Sequence, residues 1–176
     1  MEGGMKKGGA TLPELLVSLG IASILLTLAF PGYVSLMNSH RLAVVSNELV
    51  LSLQLARSEA VKRGKRVTVC KSSNAMTTAP ACDATAPWQS GWITFVDEGS
   101  AGVKEPGDTL LHVSPGSAQA SIVAVNFSNY GSYLPSGRSQ GSSGLPNDTI
   151  HVCLAGAKRK IIINNVGRVR MEAAAC

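Results

Sequence analysis

The chain has 176 residues and a formal net charge of +5 at pH 7, and 45% of its residues are hydrophobic while 5% are aromatic. Once one N-terminal apolar segment is set aside, about 110–120 residues remain, which suffices for one domain with its own core and excludes a second. The composition is that of an ordinary globular protein, and the mild basic bias does not by itself indicate an acidic partner.

The most conspicuous segment is an uncharged apolar run from Leu15 to Met37, which follows the basic residues Lys6 and Lys7. Its 23 residues are enough for one membrane-spanning helix, which needs about 20. Glu14 stands at the entrance to this run, where a carboxylate would be costly if it were carried into the bilayer. A charge at such a position indicates a function.

Small residues precede the apolar run, at Gly8, Gly9 and Ala10, whereas a secretory signal peptide carries them after its apolar core. An ordinary signal anchor is the alternative interpretation. The order Lys-Lys-Gly-Gly, Ala-Thr-Leu-Pro-Glu, apolar run resembles the leader of type IV prepilins and type II secretion pseudopilins. The resemblance implies cleavage by a prepilin peptidase after Gly9 and N-methylation of Ala10. It also implies that Glu14 pairs with the free amine of a neighbouring subunit in a filament.

This resemblance divides the chain into a leader (1–9), a transmembrane and filament-core helix segment (10–37) and a head (38–176) that includes the second half of the helix. The basic leader is expected to remain cytoplasmic and the head to be periplasmic. The protein would thus reside in the inner membrane and then in a type IV pilus at the cell surface, with other pilin subunits as its partners.

Apolar residues recur at steps of three or four beyond the first apolar run, so the sequence predicts one long helix from about Leu12 to Lys62. Pro31 is expected to kink this helix, although Pro31-Gly32 can also be interpreted as its end. Gly64 fits the C-terminal cap, and Lys62 and Arg63 oppose the dipole in the last turn.

The remainder of the chain alternates short apolar segments with turn residues, which predicts strands. The predicted strands are 65–71, 92–96, 110–113, 122–127, 150–154, 160–165 and 167–171. The segment 132–148 is rich in Gly, Ser and Pro, which predicts a long surface loop. The fold class is therefore α+β, with a long N-terminal helix packed on a mainly antiparallel sheet, as in type IV pilins.

Four cysteines are present, and four cysteines allow three pairings. Proximity along the chain favours Cys70–Cys82 and Cys153–Cys176, and disulfides indicate an oxidising compartment. A zinc site is the alternative, but no C-x-x-C pair is present and the histidines lack ligand spacing.

A second resemblance covers the end of the predicted helix and the first strands, and it is to the GspH/FimT branch of the pilin superfamily. It rests on Leu53-x-x-Ala56-Arg57-Ser58-Glu59-Ala60-Val61-Lys62-Arg63, Val67-Thr68-Val69-Cys70 and Trp88-x-x-Gly91-Trp92-Ile93-x-Phe95-x-Asp97.

No motif of an enzyme, a cofactor site or a metal site is visible, so we expect neither catalysis nor a cofactor. Four carboxylates between Asp97 and Asp108 could bind calcium, but their spacing matches no calcium loop, and a solvated acidic turn is the favoured interpretation.

Positive charge is concentrated near the C-terminus, where 150–176 holds five basic residues and one acidic residue. In a strand Arg168 and Arg170 point to the same face, about 6.6 Å apart, which suits successive phosphates of a nucleic acid. The sequence Gly167-Arg168-Val169-Arg170 resembles the Gly-Arg-x-Arg signature of DNA-binding FimT minor pilins. The alternative is a merely polar edge strand.

The predicted function is that of a minor pilin that binds extracellular double-stranded DNA during natural transformation. The predicted DNA-binding residues are Arg168, Arg170, Lys158, Arg159, Lys160 and Arg138. The alternatives are a structural FimU-like tip or priming subunit without a ligand, and a GspH-type pseudopilin of a type II secretion system.

Overall fold

The computed structural model describes residues 11–176, except for the side chains of Leu28, Ala29 and Pro31. Gly9 and Ala10, the expected cleavage and methylation positions, lie outside the described residues. The described residues divide between Met37 and Asn38 into two units.

A single helix, α1, spans Leu12–Arg63. It continues through Pro31 and Gly32 without interruption, so the alternative of a helix end at that point is wrong. At its start the backbone N–H of Thr11 donates to Glu14 Oε2 at 3.4 Å, which satisfies one of the free donors of the first turn. At its end Gly64 adopts φ +63°, as the predicted cap requires.

The first unit consists of the apolar part of α1. Its described side chains from Leu12 to Leu36 are exposed. By length and composition α1 could cross a membrane. Glu14 is exposed on this unit, where a partner from another chain can reach it.

The second unit, which we call the head, begins with the remainder of α1. That part buries one stripe of apolar side chains at helical spacing, namely Leu42, Val45, Leu49, Leu53, Ala56 and Ala60. These side chains belong to one core with the inner faces of two β-sheets. The amphipathic helix predicted for this region is therefore confirmed.

Nine strands and one 3-10 helix, Trp88–Ser90, complete the head. The strands are β1 Val67–Lys71, β2 Trp92–Val96, β3 Leu110–Ser114, β4 Ser121–Val123, β5 Tyr130–Tyr133, β6 Ser139–Gly141, β7 Asp148–Leu154, β8 Ala157–Ile163 and β9 Val169–Ala175. They form a five-stranded sheet in the order β3-β2-β1-β5-β6 and a four-stranded sheet in the order β4-β7-β8-β9. All neighbouring strands are antiparallel.

The predicted surface loop 132–148 is wrong, because it contains most of the β5–β6 hairpin. Gly141 of the predicted loop and Gly131 just before it both lie in strands of this hairpin. A Cβ at Gly131 would lie 2.1 Å from the Phe127 ring and a Cβ at Gly141 would lie 2.7 Å from it, so both positions exclude a side chain. Glycine serves here for close packing within a sheet, which composition cannot distinguish from a turn.

The strand predicted at 122–127 ends early, at Val123. Beyond it the backbone N–H groups of Val125 and Phe127 donate to the carboxylate of Asp148, at 3.2 and 2.8 Å, instead of pairing with a strand. Phe127 is still fully buried, so the apolar pattern was produced by core packing rather than by strand pairing.

The acidic segment 97–108 also differs from the prediction of a solvated turn. Asp97 and Asp108 are 2% and 8% exposed. Asp97 accepts hydrogen bonds from Arg66 at 2.7 Å and Thr68 at 2.6 Å, and Asp108 accepts two from backbone N–H groups of the same loop. Within residues 11–176, no group of three or more His, Cys, Asp and Glu could hold a metal ion.

Both cysteine pairs are disulfides in the structure. Cys70–Cys82 joins β1 to the following loop, and Cys153–Cys176 joins β7 to the last residue of the chain. These are the pairings that proximity along the sequence favours.

Candidate nucleic-acid interface

The outer face of the four-stranded sheet carries four cations on β8, on β9 and just before β9. On β8 the side chains of Ile161 and Ile163 are buried, so the alternating Lys158 and Lys160 point away from the core. On β9 Val169 and Met171 pack against the core, as predicted, while Arg170 is exposed. Together with the exposed Arg168 these residues form a surface that we call the basic face: Lys158, Lys160, Arg168 and Arg170.

The strand register fixes the spacing of the basic face. Lys158 lies opposite Ala174, and Lys160 lies opposite Glu172. Ile162 lies opposite Arg170, so an apolar side chain separates the lysines from the arginines along β8. Opposing residues in a ladder are about 4.5–5.5 Å apart, so the whole face fits within one small patch of surface.

Arg159 does not belong to the basic face. It lies between Lys158 and Lys160 on β8 and therefore points to the opposite side of the sheet, opposite the buried Val152. Its Nη1 lies 3.7 Å from the sulfur of Met171. The structure thus separates Arg159 from Lys158 and Lys160, because a strand alternates its side chains between its two faces.

The turn between β8 and β9 holds Arg168 in place. Asn164 Oδ1 accepts hydrogen bonds from the backbone N–H groups of Val166 at 3.2 Å and Arg168 at 2.8 Å. Gly167 adopts φ +78°, and a Cβ there would lie 2.3 Å from the carbonyl oxygen of Gly137. The turn is therefore packed directly against the turn of the β5–β6 hairpin.

Arg57 of α1 forms hydrogen bonds with both turns. Its Nε donates to the carbonyl oxygen of Gly137 at 3.1 Å, and its Nη2 donates to that of Val166 at 3.2 Å. Arg138 follows Gly137 and is exposed. It thus lies on the turn that packs against the turn carrying Arg168.

A cleft of about 370 Å³ lies on the basic face, and we call it the arginine cleft. It is lined by Ile162, Asn164, Arg168 and Arg170. A neighbouring depression of about 450 Å³ shares Ile162 and Asn164 and extends the cleft toward β7.

One acidic side chain interrupts the basic face. Glu172 Oε1 lies 3.4 Å from Arg170 Nη2, and both side chains are about half exposed or more. A pair this exposed contributes little to stability, and a phosphate can compete for the arginine. Within residues 11–176, no ion pair engages Lys158, Lys160 or Arg168.

His151 lies opposite Lys160 on β7, on the same face. Burial lowers the pKa of its imidazole, and the nearby charges of Lys158 and Lys160 lower it further, whereas Asp148 raises it. The imidazole is therefore neutral at pH 7 and adds no charge to the basic face.

Sequence reasoning missed Ile162, Asn164 and Glu172 as members of this surface. A signal for Ile162 was present, since a residue two positions after Lys160 in a strand shares its face. This signal was obscured because Ile162 stands between Ile161 and Ile163, and three successive isoleucines predict a strand that is buried on both faces. The role of Asn164 depends on the turn geometry, which composition does not reveal.

Comparison with known proteins identifies the family. The sequence profile of a family described as Type II transport protein GspH matches residues 45–167, most of the head. The chain belongs to the GspH family. The family predicted from the sequence is thus confirmed.

Individual relatives agree with this assignment. The pilin-like protein PilA1 of Thermus thermophilus is 29% identical over 173 residues, which cover 96% of this chain and 100% of that protein. Two crystal structures of the type IV minor pilin FimU of Pseudomonas aeruginosa match with TM-scores of 0.58 and 0.55, each at 19% identity. They cover 77% and 75% of this chain and 94% and 96% of the FimU chains.

This GspH-family chain is accordingly a minor pilin or pseudopilin, of a type IV pilus or a type II secretion system, and it has the type IV pilin fold. The family and the fold are those of structural pilins rather than enzymes, and the family implies association with other pilin subunits. The long apolar helix is consistent with a pilus component anchored in the inner membrane. Arg168 and Arg170 lie just beyond the matched residues, so the family match does not assign their role.

Proposed function

We propose that this chain is a minor pilin of a type IV pilus that binds extracellular double-stranded DNA without sequence specificity during natural transformation. The observation that carries the proposal is the alignment of Lys158, Lys160, Arg168 and Arg170 on one face of a rigid sheet. Four cations on one face match the repeated negative charge of a nucleic-acid backbone.

The chemistry of the basic face favours backbone contacts. A guanidinium group can donate two parallel hydrogen bonds to a phosphate, and a lysine ammonium adds a point charge. Such contacts supply affinity and carry no sequence information. Arg138 extends the surface at its edge, whereas Arg159 is omitted from the proposed site because it points to the other side of the sheet.

Delivery of the head to the cell surface follows the prepilin route in this proposal. A prepilin peptidase cuts after Gly9, Ala10 becomes the methylated N-terminus, and α1 anchors the subunit in the inner membrane until it enters the filament. Glu14 then pairs with the free amine of a neighbouring subunit. A carboxylate at the entrance to an apolar helix is expensive in lipid, and a cationic partner in the filament would compensate for it.

The proposal is tested by titrating fluorescent duplex DNA with the full-length protein in a non-ionic detergent. Replacing Arg168→Gln and Arg170→Gln removes two positive charges from exposed side chains and leaves the core untouched. We expect the double variant to bind at least about tenfold more weakly at low salt, since each phosphate contact contributes a separate ionic interaction.

The matched control is Lys62→Gln with Lys65→Gln, which removes the same net charge from the end of α1 and the following turn, from residues that are not members of the basic face. Their side chains are 74% and 52% exposed, so they too can be replaced without disturbing the core. This control should bind DNA nearly as well as the wild type. Equal weakening by both double variants would show that net charge, and not the basic face, determines binding.

Two other functions remain candidates for specific reasons. The FimU-like fold favours a structural tip or priming subunit, and the GspH profile favours a pseudopilin that acts on protein substrates. Deletion of the gene separates them. Loss of transformation with intact pili supports DNA binding, loss of pili supports the structural subunit, and loss of protein secretion supports the pseudopilin.

A further inference from the structure

The arginine cleft has an apolar floor, which a site for phosphates alone does not need. Ile162 lies on β8 directly opposite Arg170, between the lysines and the β8–β9 turn. Its side chain is half-buried, and it lines the cleft together with Asn164, Arg168 and Arg170. The cleft thus combines one hydrophobic surface with two guanidinium groups, and its volume of about 370 Å³ falls within the range of small-ligand sites.

Asn164 contributes a side-chain amide to the lining of the same cleft. Its Oδ1 accepts two backbone N–H groups of the β8–β9 turn, at 2.8 and 3.2 Å, which sets the orientation of the amide. Asn164 lines the cleft, and its Nδ2 group takes part in neither of these two hydrogen bonds. An amide held in this way can donate to a carbonyl or ring nitrogen on the edge of a nucleobase.

The adjoining depression is lined by further amides, from Asn147 and Asn165. Asp148 also lies there, but its carboxylate is 5% exposed and accepts hydrogen bonds from the backbone N–H groups of Val125, Phe127 and Thr149. The depression therefore offers neutral donors and acceptors rather than an open negative charge.

From these features we infer that the arginine cleft binds an unstacked nucleotide of a DNA strand. The base lies on Ile162 with its edge toward the Asn164 amide, and the flanking phosphates lie on Arg168 and Arg170. Recognition of single-stranded nucleotides commonly combines a surface on which the unstacked base lies with polar groups that bind the base edge. This inference rests on the proposed DNA binding and adds that the protein prefers a duplex end with a single-stranded overhang.

A stacked duplex cannot supply this contact, because its bases are covered by their neighbours and only phosphates and groove edges are accessible. A protein ligand is less consistent with the cleft, since two arginines in line with two lysines provide more positive charge than a neutral peptide requires. The combination of charge with an apolar floor fits a nucleotide, which is anionic at one end and flat and apolar at the other.

The test compares a blunt duplex with a duplex that carries a short single-stranded overhang, the two having the same total number of phosphates. Binding of each to the full-length protein in a non-ionic detergent is measured by fluorescence anisotropy. We expect the overhang duplex to bind about fivefold more tightly, no more than the smallest gain from stacking on an aromatic ring, because Ile162 offers only an aliphatic surface. Replacing Ile162→Thr, which keeps a β-branched residue in the strand, should abolish this preference, so that the variant binds the two duplexes equally.

The control is Val123→Thr, which makes the same kind of change at an exposed apolar residue of β4 on the same outer face. It should retain the preference for the overhang. Equal binding of the two duplexes by the wild type would overturn the inference, and so would an Ile162→Thr variant that keeps the preference or weakens both duplexes alike. In each of those cases the proposed DNA binding stands, whereas failure of the wild type to bind either duplex would refute that function and this inference together.

Discussion

At the scale of single residues, Gly167 allows the β8–β9 turn to adopt the conformation that precedes Arg168. Its positive φ and its contact with the Gly137 carbonyl both exclude a side chain. We expect Gly167→Ala to lower the free energy of unfolding by about 2–3 kcal/mol, because it adds a steric conflict to backbone strain. Urea denaturation of the full-length protein, followed by tryptophan fluorescence, measures this loss.

Gly156 provides the matched control for Gly167. It has a similar φ of +85° in the β7–β8 turn, but nothing lies within 4 Å of a Cβ at that position. Gly156→Ala should therefore cost only the backbone strain, about 1–2 kcal/mol. Equal losses for the two variants would mean that the contact with Gly137 does not hold the β8–β9 turn in place.

Some of these residue roles could be predicted from the sequence and others could not. Gly64, Arg168 and Arg170 act through local geometry, and local spacing predicted the helix cap and the shared face. Gly131, Gly141 and Asn164 act through residues distant in the sequence or through a turn. A single sequence contains no signal for such contacts.

At the scale of secondary-structure elements, β9 is the strand on which the basic face depends most. It lies at the edge of its sheet and is paired only with β8. The Cys153–Cys176 disulfide ties the residue after β9 to β7, across β8. Replacing Cys153→Ser and Cys176→Ser should destabilise the head by roughly 3 kcal/mol in the chain-entropy model and loosen β9 first.

Hydrogen exchange measured by mass spectrometry tests that prediction. The amides of β9 should exchange faster in the double serine variant, while those of β1 and β2 retain their protection. The Cys70→Ser and Cys82→Ser pair is the comparison, because it should affect β1 and the loop after it and leave β9 unchanged. Unaltered exchange in β9 without its disulfide would contradict the view that the disulfide holds this strand.

Regular elements were predicted from the sequence more successfully than their arrangement. The long helix and the strands β2 and β7 have apolar patterns that predict a helix and strands at the positions where the structure has them. The division into two sheets could not be predicted, because β1 pairs with both β2 and β5, and β4 pairs with β7 across more than twenty residues. Such pairings depend on the whole core rather than on any one segment.

At the scale of the whole molecule, the chain combines an apolar helix typical of its family with a head that carries four cations on one face of its four-stranded sheet. The family, the fold and the absence of enzyme motifs follow from the sequence, and the comparisons confirm the first two. The binding partner depends on the basic face, whose two arginines, Arg168 and Arg170, lie outside the family match. The central claim therefore concerns four side chains and the charge they present.

The salt dependence of DNA binding tests this claim most directly. If Lys158, Lys160, Arg168 and Arg170 each neutralise one phosphate, a plot of log Kobs against log salt concentration should have a slope of about 4 × (−0.9), or −3.6. The Arg168→Gln and Arg170→Gln variant should show a slope of about −1.8, and the Lys62→Gln and Lys65→Gln control should keep the wild-type slope. A double arginine variant whose slope equals that of the wild type would contradict the assignment of DNA binding to the basic face.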